Sequence, residues 1–445
     1  MAADPQSSSA AASTAAPSTA SCTAASTAAP LLRGEGLPPF AAITAEQVNQ
    51  AIPALLEQLN GELDQLEQQL LQRLEAGATI SWAELMEPLH HLGERLRWSW
   101  GVVSHLHGVC NTPDLRQAYQ NQQGAVVAFG SRAGQSRAIY RALEQLAQQP
   151  LDGTQRRILE AELRDMQLRG VALAGAEQEA FNAATAELAS LASDFGNHVL
   201  DATNGWTLQL SEPGDVAGLP ESLKELLAQS ARQAAEAGGD GGDAAATAEN
   251  GPWLMGLDMP RVVPFLKYSQ RRDLRETVYR AQVARASSGD LNNWPLIERI
   301  LTLKRQQAQR LGYANWAEVS LASKMAGSVA EVEALLENLR AAAYPAAERE
   351  LEALRACARR HGAAEADDLQ PWDVAYWAEV LRQESFELDA EALRPWFPLE
   401  QVLQGLFGLC QRLFDIRITS TDPGDAPAWG AAPAATAKRC CRWPT

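Results

Sequence analysis

The chain has 445 residues and a formal net charge of −17, from 38 basic and 55 acidic side chains. The length allows two or three domains or one large helical body. The acidic balance argues against nucleic acid and anionic membranes as partners, because neutralising phosphate takes clustered Lys and Arg. No apolar run is long enough to span a bilayer. The six cysteines are sparse, which favours a reducing compartment over a disulfide framework.

Residues 1–30 consist almost entirely of Ala, Ser, Thr and Pro. Such a segment has too little apolar bulk to offset the entropy of ordering, so we expect a disordered leader. It lacks the apolar stretch of a secretory signal. Its Ser/Thr content is typical of an organellar transit peptide, but no Lys or Arg precedes Arg33. The expected location is therefore the cytoplasm, with a plastid or mitochondrion as the alternative.

Helical periodicity begins near Thr44, which has Gln47 three residues on, the spacing of a capping box. Leucines then recur at helical spacing: Leu55, Leu59, Leu63, Leu66 and Leu70. Similar amphipathic stretches, rich in good helix formers, predict further helices. They lie near residues 82–109, 113–148, 154–199, 218–236, 270–287, 294–322, 328–361, 371–384 and 398–413.

Strand signals are few. Residues 206–210 (WTLQL) alternate, and residues 253–258 (WLMGLD) are predicted to pair with them as a small ribbon. The glycine- and acid-rich residues 237–251 between them predict an exposed loop. Residues 414–420 (FDIRITS) also alternate. The predicted fold class is mainly α, a large multi-helix body with one small β ribbon.

The zinc-hydrolase motif H-E-x-x-H places two histidines one helical turn apart, with a glutamate that activates water. The sequence has no such motif, because none of its histidines is followed by Glu. The six are His90, His91, His105, His107, His198 and His361.

The best local candidate for a metal site is Glu87 with His90, the i, i+3 pair found in di-iron carboxylate bundles. Such a site needs a second Glu-x-x-His, which this chain lacks. His91 and Glu94 begin like an inverted zinc motif, but Arg95 stands where a histidine is required. Solvated or core-capping polar residues on an amphipathic helix explain these side chains better.

Other candidates are weaker. His105 and His107 are two residues apart, which turns them to different helix faces. Cys440 and Cys441 have no Cys or His at metal-ligand spacing. The chain also lacks G-x-S-x-G and a glycine-rich phosphate loop after a strand. We therefore assign no catalytic and no metal-binding residue, and the substrate-binding residues are unknown.

Several stretches are more distinctive than generic helix. They include residues 37–48 (LPPFAAITAEQV), 103–119 (VSHLHGVCNTPDLRQAY), 200–206 (LDATNGW), 273–281 (DLRETVYRA), 311–326 (LGYANWAEVSLASKMA), 369–382 (LQPWDVAYWAEVLR) and 414–420. Individually, aromatic and proline corners such as PWD at 371–373 are typical core clamps. Together and in this order, they closely resemble the zinc-dependent oligopeptidases of the oligopeptidase A and thimet oligopeptidase family, over roughly residues 31–425.

The resemblance implies the helical N-terminal part of a metallopeptidase that degrades short, unfolded peptides. In the family, this part forms much of the wall of a deep channel. Three protein ligands hold the zinc, and the motif glutamate acts as general base. The resemblance implies that these ligands come from a later segment, and none is assigned here.

The similarity ends at about Trp429, and residues 426–445 form an unrelated low-complexity tail. We expect a chain that is truncated before the zinc site, binds no zinc itself, is inactive alone and is a monomer. The alternative is a non-catalytic helical module that binds peptides or a partner.

Overall fold

The structure is a computed structural model that describes residues 30–387, 390–421 and 440–442. The expected leader, residues 1–30, lies outside this part except for its last residue. The fold is mainly α, as predicted. The chain divides into two compact units, one ending at Val171 and resuming at Ile418, the other running from Ala172 to Arg417. Each unit is described separately below.

The described residues of the first unit include a bundle of five helices of eleven or more residues: α1 (Ala45–Glu75), α2 (Trp82–Val109), α3 (Pro113–Gly134), α4 (Arg137–Ala147) and α5 (Gly153–Leu168). The predicted capping box is present, with Thr44 and Gln47 satisfying each other's backbone N–H groups. Ser81 and Glu84 cap α2 in the same way. The predicted leucine stripe of α1 is fully buried in the core of this unit.

Two predicted long helices are each broken once. The stretch 113–148 forms α3 and α4, because the Ser136 hydroxyl accepts from the Ile139 N–H and starts a new helix. The stretch 154–199 is interrupted after α5 at Gly170, whose φ of +81° is in the left-handed region. Helical periodicity continues across both breaks, which is why the sequence alone predicted continuous helices.

The second unit holds most of the remaining helices. These are α6 (Gly175–Gly205), α7 (Glu221–Glu236), α8 (Met259–Tyr268), α9 (Arg272–Val283), α10 (Trp294–Arg310), α11 (Trp316–Leu321), α12 (Val329–Arg360), α13 (Pro371–Phe386), α14 (Ala390–Leu393) and α15 (Leu399–Phe414). The predicted helix 294–322 is split into α10 and α11, with Asn315 capping the second. Helix α8 was not predicted, because Pro260 and Pro264 obscure its short pattern.

The predicted ribbon is present in the second unit. Strands β1 (Leu208–Leu210) and β2 (Trp253–Met255) pair antiparallel, with Gln209 opposite Leu254. Residues 237–245 of the connecting loop are largely exposed, whereas Ala246 and Ala248 are buried. Gly242 packs so closely that a Cβ there would lie 2.3 Å from the Ala235 backbone nitrogen. The loop is therefore seated against α7.

The predicted strand at residues 414–420 forms only at its end, because Phe414 completes α15. Strand β3 (Thr419–Thr421) pairs antiparallel with β4 (Cys440–Arg442). The rest of the predicted tail, residues 426–445, lies outside the described residues. Within the described part of the chain, no helix has both the length and the apolar character needed to cross a membrane.

Candidate functional site

The fold does not bring the candidate metal ligands on α2 together into a metal site. Glu87, His90 and His91 are all exposed. His90 and His91 lie edge to face, with their ring centroids 6.2 Å apart. Within the part of the chain that the structure describes, no further ligand-bearing side chain completes a group of three with them. They fit the simpler interpretation of solvated side chains on an amphipathic helix.

His105 and His107 point to different neighbours, as their spacing predicted. His105 packs against Phe40 at 5.5 Å between ring centroids. His107 stacks on Tyr119 at 4.2 Å, and burial together with the nearby Arg116 lowers the pKa of this histidine. Both rings are parts of the first unit's packing.

A buried ion pair occupies the PWD corner that the sequence analysis identified. Asp373, at the start of α13, is fully buried. It accepts from Arg275 Nη2 at 2.9 Å and from Arg272 Nη2 at 2.8 Å. Arg275 is itself 1% exposed and also donates to the backbone oxygens of Trp372 and Ser269. The pair joins α9 to α13, so a buried ion pair adds to the aromatic packing of Trp372 at the predicted core clamp.

A second buried carboxylate lies on the same helix. Glu379 is 4% exposed and lies 3.0 Å from Lys267 Nζ of α8. Burial alone would raise the pKa of Glu379, but hydrogen bonds from Arg382, Lys267 and Gln383 outweigh it and hold this pKa at about 2. The carboxylate is therefore charged at every pH at which the protein is expected to work.

This pair predicts a pH-dependent contribution to stability. Because the folded pKa lies below that of an unfolded glutamate, the contribution is complete above about pH 5 and is lost as pH falls toward 2. We expect Glu379→Gln to destabilise the chain by on the order of 2–3 kcal/mol at pH 7, with the gap to the wild type closing in that window. Urea unfolding at a series of pH values measures it.

The matched control is Glu337→Gln, since Glu337 forms an ion pair with Arg340 that is more than half exposed. The free energy of unfolding of this control should stay close to that of the wild type at every pH. A Glu379→Gln gap that stays constant from pH 7 to pH 2.5 would contradict the assignment.

The described residues contain one group of three side chains whose ligand atoms lie close enough to hold a metal ion: Cys357, His361 and Glu384. Cys357 is on the last turn of α12, His361 follows the helix, and Glu384 faces them from α13. Their ligand atoms all lie within 4.8 Å of one another. This group was not predicted from the sequence, although the spacing Cys-x-x-x-His was a visible signal.

Electrostatics at this group are dominated by Glu384. Hydrogen bonds from Arg360 and His361 lower the pKa of Glu384 to about 2. Burial raises the pKa of the Cys357 thiol, and the neighbouring carboxylate raises it further. The Cys357 Sγ is 3.6 Å from Glu384 Oε2, and the His361 Nε2 is 2.5 Å from Glu384 Oε1.

The first unit also contains an open cavity of about 420 Å³. Its walls are apolar, contributed by α1, α2 and α3, and include Leu63, Leu92, Trp100 and Phe129. Arg97 and Arg169 are the charged side chains among its lining residues. Among the described residues that line the cavity there is no titratable acid and no nucleophile, so these residues can contact apolar groups but include none for hydrolysis.

The catalytic zinc of the resembled family does not fit the described residues. Its donor set includes two histidines of one H-E-x-x-H helix, and that string is absent from the sequence. The group around Cys357 has one histidine and one carboxylate, so it lacks the second histidine of that donor set. No side chain there is left as a general base, so we derive no hydrolytic step from it.

Two family profiles match the chain. The profile described as the N-terminal domain of neurolysin and thimet oligopeptidase covers residues 52–178, and that of peptidase family M3 covers residues 265–432. The chain is 40% identical to a probable cytosolic oligopeptidase A of Arabidopsis thaliana over 406 residues, which is 90% of this chain and 56% of that protein.

Other similar proteins are also oligopeptidases A. The chain is 40% identical to the organellar oligopeptidase A of Arabidopsis thaliana over 404 residues, 90% of this chain and 49% of the relative. It is 34% identical to oligopeptidase A of Escherichia coli over 409 residues, 90% of this chain and 56% of the relative. The chain thus spans about half the length of these relatives. With the ordered motifs and the helical fold, these matches establish that the chain belongs to the oligopeptidase A and thimet oligopeptidase family of peptidases.

Proposed function

We propose that this chain is the helical part of an oligopeptidase that degrades short peptides, that it lacks the catalytic zinc site, and that it does not hydrolyse peptides by itself. The observation that carries the proposal is the pattern of similarity. Nine tenths of the chain aligns with oligopeptidases A, but with only about half of their length, and the sequence lacks H-E-x-x-H. The catalytic zinc and the short peptides would then belong to the assembled enzyme.

Exposed apolar surface in the second unit supports this proposal. Helix α15 buries none of its residues, and its apolar side chains face solvent: Leu399, Val402, Leu406, Leu409, Leu413 and Phe414. The first half of α12 is similar, with Leu335, Leu336, Leu339 and Tyr344 each more than half exposed. Amphipathic helices gain stability by burying such a face. A further polypeptide segment that covers these two faces would provide that burial.

The competing proposal is a non-catalytic helical module that binds peptides or a partner. It is favoured because each of the two units has its own core of buried apolar side chains. As a partner-binding module the chain would unfold cooperatively by itself and stay monomeric. For either function we propose the cytoplasm, with the organellar relative supporting the plastid or mitochondrial alternative.

Peptide hydrolysis by the purified full chain tests the proposal. We expect no turnover of a quenched fluorescent peptide with zinc present, because no general base accompanies a bound ion. Adding the portion of the Arabidopsis relative that the chain does not cover should give chelator-sensitive turnover. Turnover by the chain alone would contradict the proposal. The module would be favoured if the chain alone unfolds in one sharp transition and stays monomeric, and if adding that portion gives no peptide hydrolysis.

A variant on α15 links the activity to the exposed face. Leu406→Glu places a charge on this face, where Leu406 is 49% exposed and contributes little to the chain's own core. We expect it to abolish the complementation while leaving the circular dichroism of the chain unchanged. The matched control is Gln404→Glu, an exposed polar position on the same helix, which should complement like the wild type.

A further inference from the structure

The helix pair formed by α12 and α13 carries a set of metal-ligating side chains that the peptidase function does not use. Cys357 and His361 are one helical turn apart, and the His361 N–H still donates to the Cys357 carbonyl at 3.2 Å. The turn therefore keeps helical geometry, which directs both side chains to one face. Glu384 approaches that face from α13, so two helices contribute to one small cluster.

The donor types are those that zinc prefers. Thiolate, imidazole and carboxylate bind Zn²⁺ at about 2.0–2.3 Å, and three such ligands leave a fourth tetrahedral position for water. The soft sulfur and the imidazole disfavour Mg²⁺ and Ca²⁺, which require mostly oxygen ligands. With ligand atoms already within 4.8 Å of one another, only side-chain shifts are needed to surround an ion.

The surroundings orient the ligands. Arg360 donates to Glu384 Oε2, which leaves Oε1 as the oxygen nearest His361 Nε2. The Trp377 ring packs against the imidazole at 5.7 Å between centroids. Cys357 is fully buried among Leu354, Ala358 and Trp377, so its thiol is held in place. Partners of this kind fix ligand orientation and raise metal affinity.

Access and charge are also suitable. His361 and Glu384 have side chains that are 45% and 36% exposed, so an ion can enter from solvent. A thiolate and a carboxylate carry two negative charges, of which Arg360 offsets one. The one remaining negative charge favours a cation at this position. Because Glu384 is itself a ligand in this arrangement, no carboxylate is left to activate the bound water.

We propose that Cys357, His361 and Glu384 form a zinc site that fastens the end of α12 to α13 and has a structural role. This proposal is independent of the proposed function, and it differs from the expectation that this chain binds no zinc. It predicts that zinc stabilises the full chain without giving peptide hydrolysis, since a metal bound to the folded state raises the unfolding midpoint.

Equilibrium dialysis of the chelator-treated full chain against zinc tests the site. We expect one tightly bound zinc per chain in the wild type. Cys357→Ala and His361→Gln should each lower the affinity by more than the roughly 10–100-fold that changes in outer-shell partners cost. The double variant Cys440→Ser/Cys441→Ser is the matched control, because it removes two thiols that are not among the three proposed ligands, and it should bind like the wild type.

Cobalt substitution gives a second readout that does not depend on stability. The wild type and the Cys440→Ser/Cys441→Ser variant should show a thiolate-to-cobalt charge-transfer band that Cys357→Ala lacks. Unchanged zinc affinity in Cys357→Ala, or its loss in the control, would overturn the proposal. Far-ultraviolet circular dichroism of each metal-free variant checks that it is folded. If Cys357→Ala is not folded, the zinc affinity of His361→Gln, which changes an exposed position, tests the site instead.

Discussion

Replacing Asp373 with alanine should cost about 3–5 kcal/mol of unfolding free energy, the range observed when one partner of a buried ion pair is removed. Arg275 is 1% exposed and would stay in place, since it also donates to the backbone oxygens of Trp372 and Ser269. Its guanidinium would then be a buried charge without a carboxylate. The Gln370 N–H, which donates to Asp373 at 3.0 Å, would lose its acceptor as well. Urea unfolding at pH 7 measures the loss.

The control for this prediction is Asp273→Asn on the adjacent helix α9. Asp273 pairs with Arg271, and both side chains are substantially exposed. Exposed pairs contribute little because water already solvates both charges, so this variant should unfold close to the wild type. Equal losses from the two substitutions would show that burial of Arg275 does not set the energetics of this corner.

The same corner shows what sequence alone could predict. The sequence predicted that Asp373 lies in the first turn of a helix after a proline, next to Trp372. Its partners were not, because Arg275 and Arg272 lie 98 and 101 residues earlier in the chain. Local spacing predicts which face of a helix a side chain occupies, but pairing between helices depends on the tertiary fold.

Element predictions succeeded where a periodic signal ended at a clear local boundary. The leucine stripe of α1, helix α2 and the ribbon of β1 with β2 are all present. The misses have local causes: Ser136 and Gly170 end helices without interrupting the apolar repeat, and two prolines obscure α8. The glycine- and acid-rich loop was predicted from composition, which cannot reveal that Ala246 and Ala248 are buried.

The candidate zinc site was half visible in the sequence. Cys357 and His361 stand at i, i+4 on a predicted helix, and this spacing places both on one face. The third ligand, Glu384, is one of many glutamates, and only the packing of α12 on α13 selects it. The exposed faces of α12 and α15 were likewise beyond sequence analysis, because an apolar stripe predicts burial and not whether this chain supplies the covering surface.

Replacing Trp253 with alanine should be comparably damaging, with a loss of about 3–5 kcal/mol, as is typical when a buried aromatic is truncated to alanine. Trp253 is 1% exposed, lies in β2 opposite Leu210, and packs in the core of the second unit. Its indole N–H also donates to the Ala248 carbonyl at 3.1 Å and so holds the 237–251 loop. The variant should therefore lose stability and also make the loop more sensitive to protease.

Trp294→Ala is the matched control, because Trp294 is 60% exposed at the start of α10 and its removal leaves no cavity. We expect this variant to unfold near the wild-type urea concentration and to keep the loop resistant. Limited proteolysis under native conditions, with the cut site mapped by mass spectrometry, separates the two effects. If Trp253→Ala is destabilised but is cut no faster within residues 237–251, then the packing of Gly242 against α7 is enough to hold the loop. In that case the indole hydrogen bond is not needed to hold it.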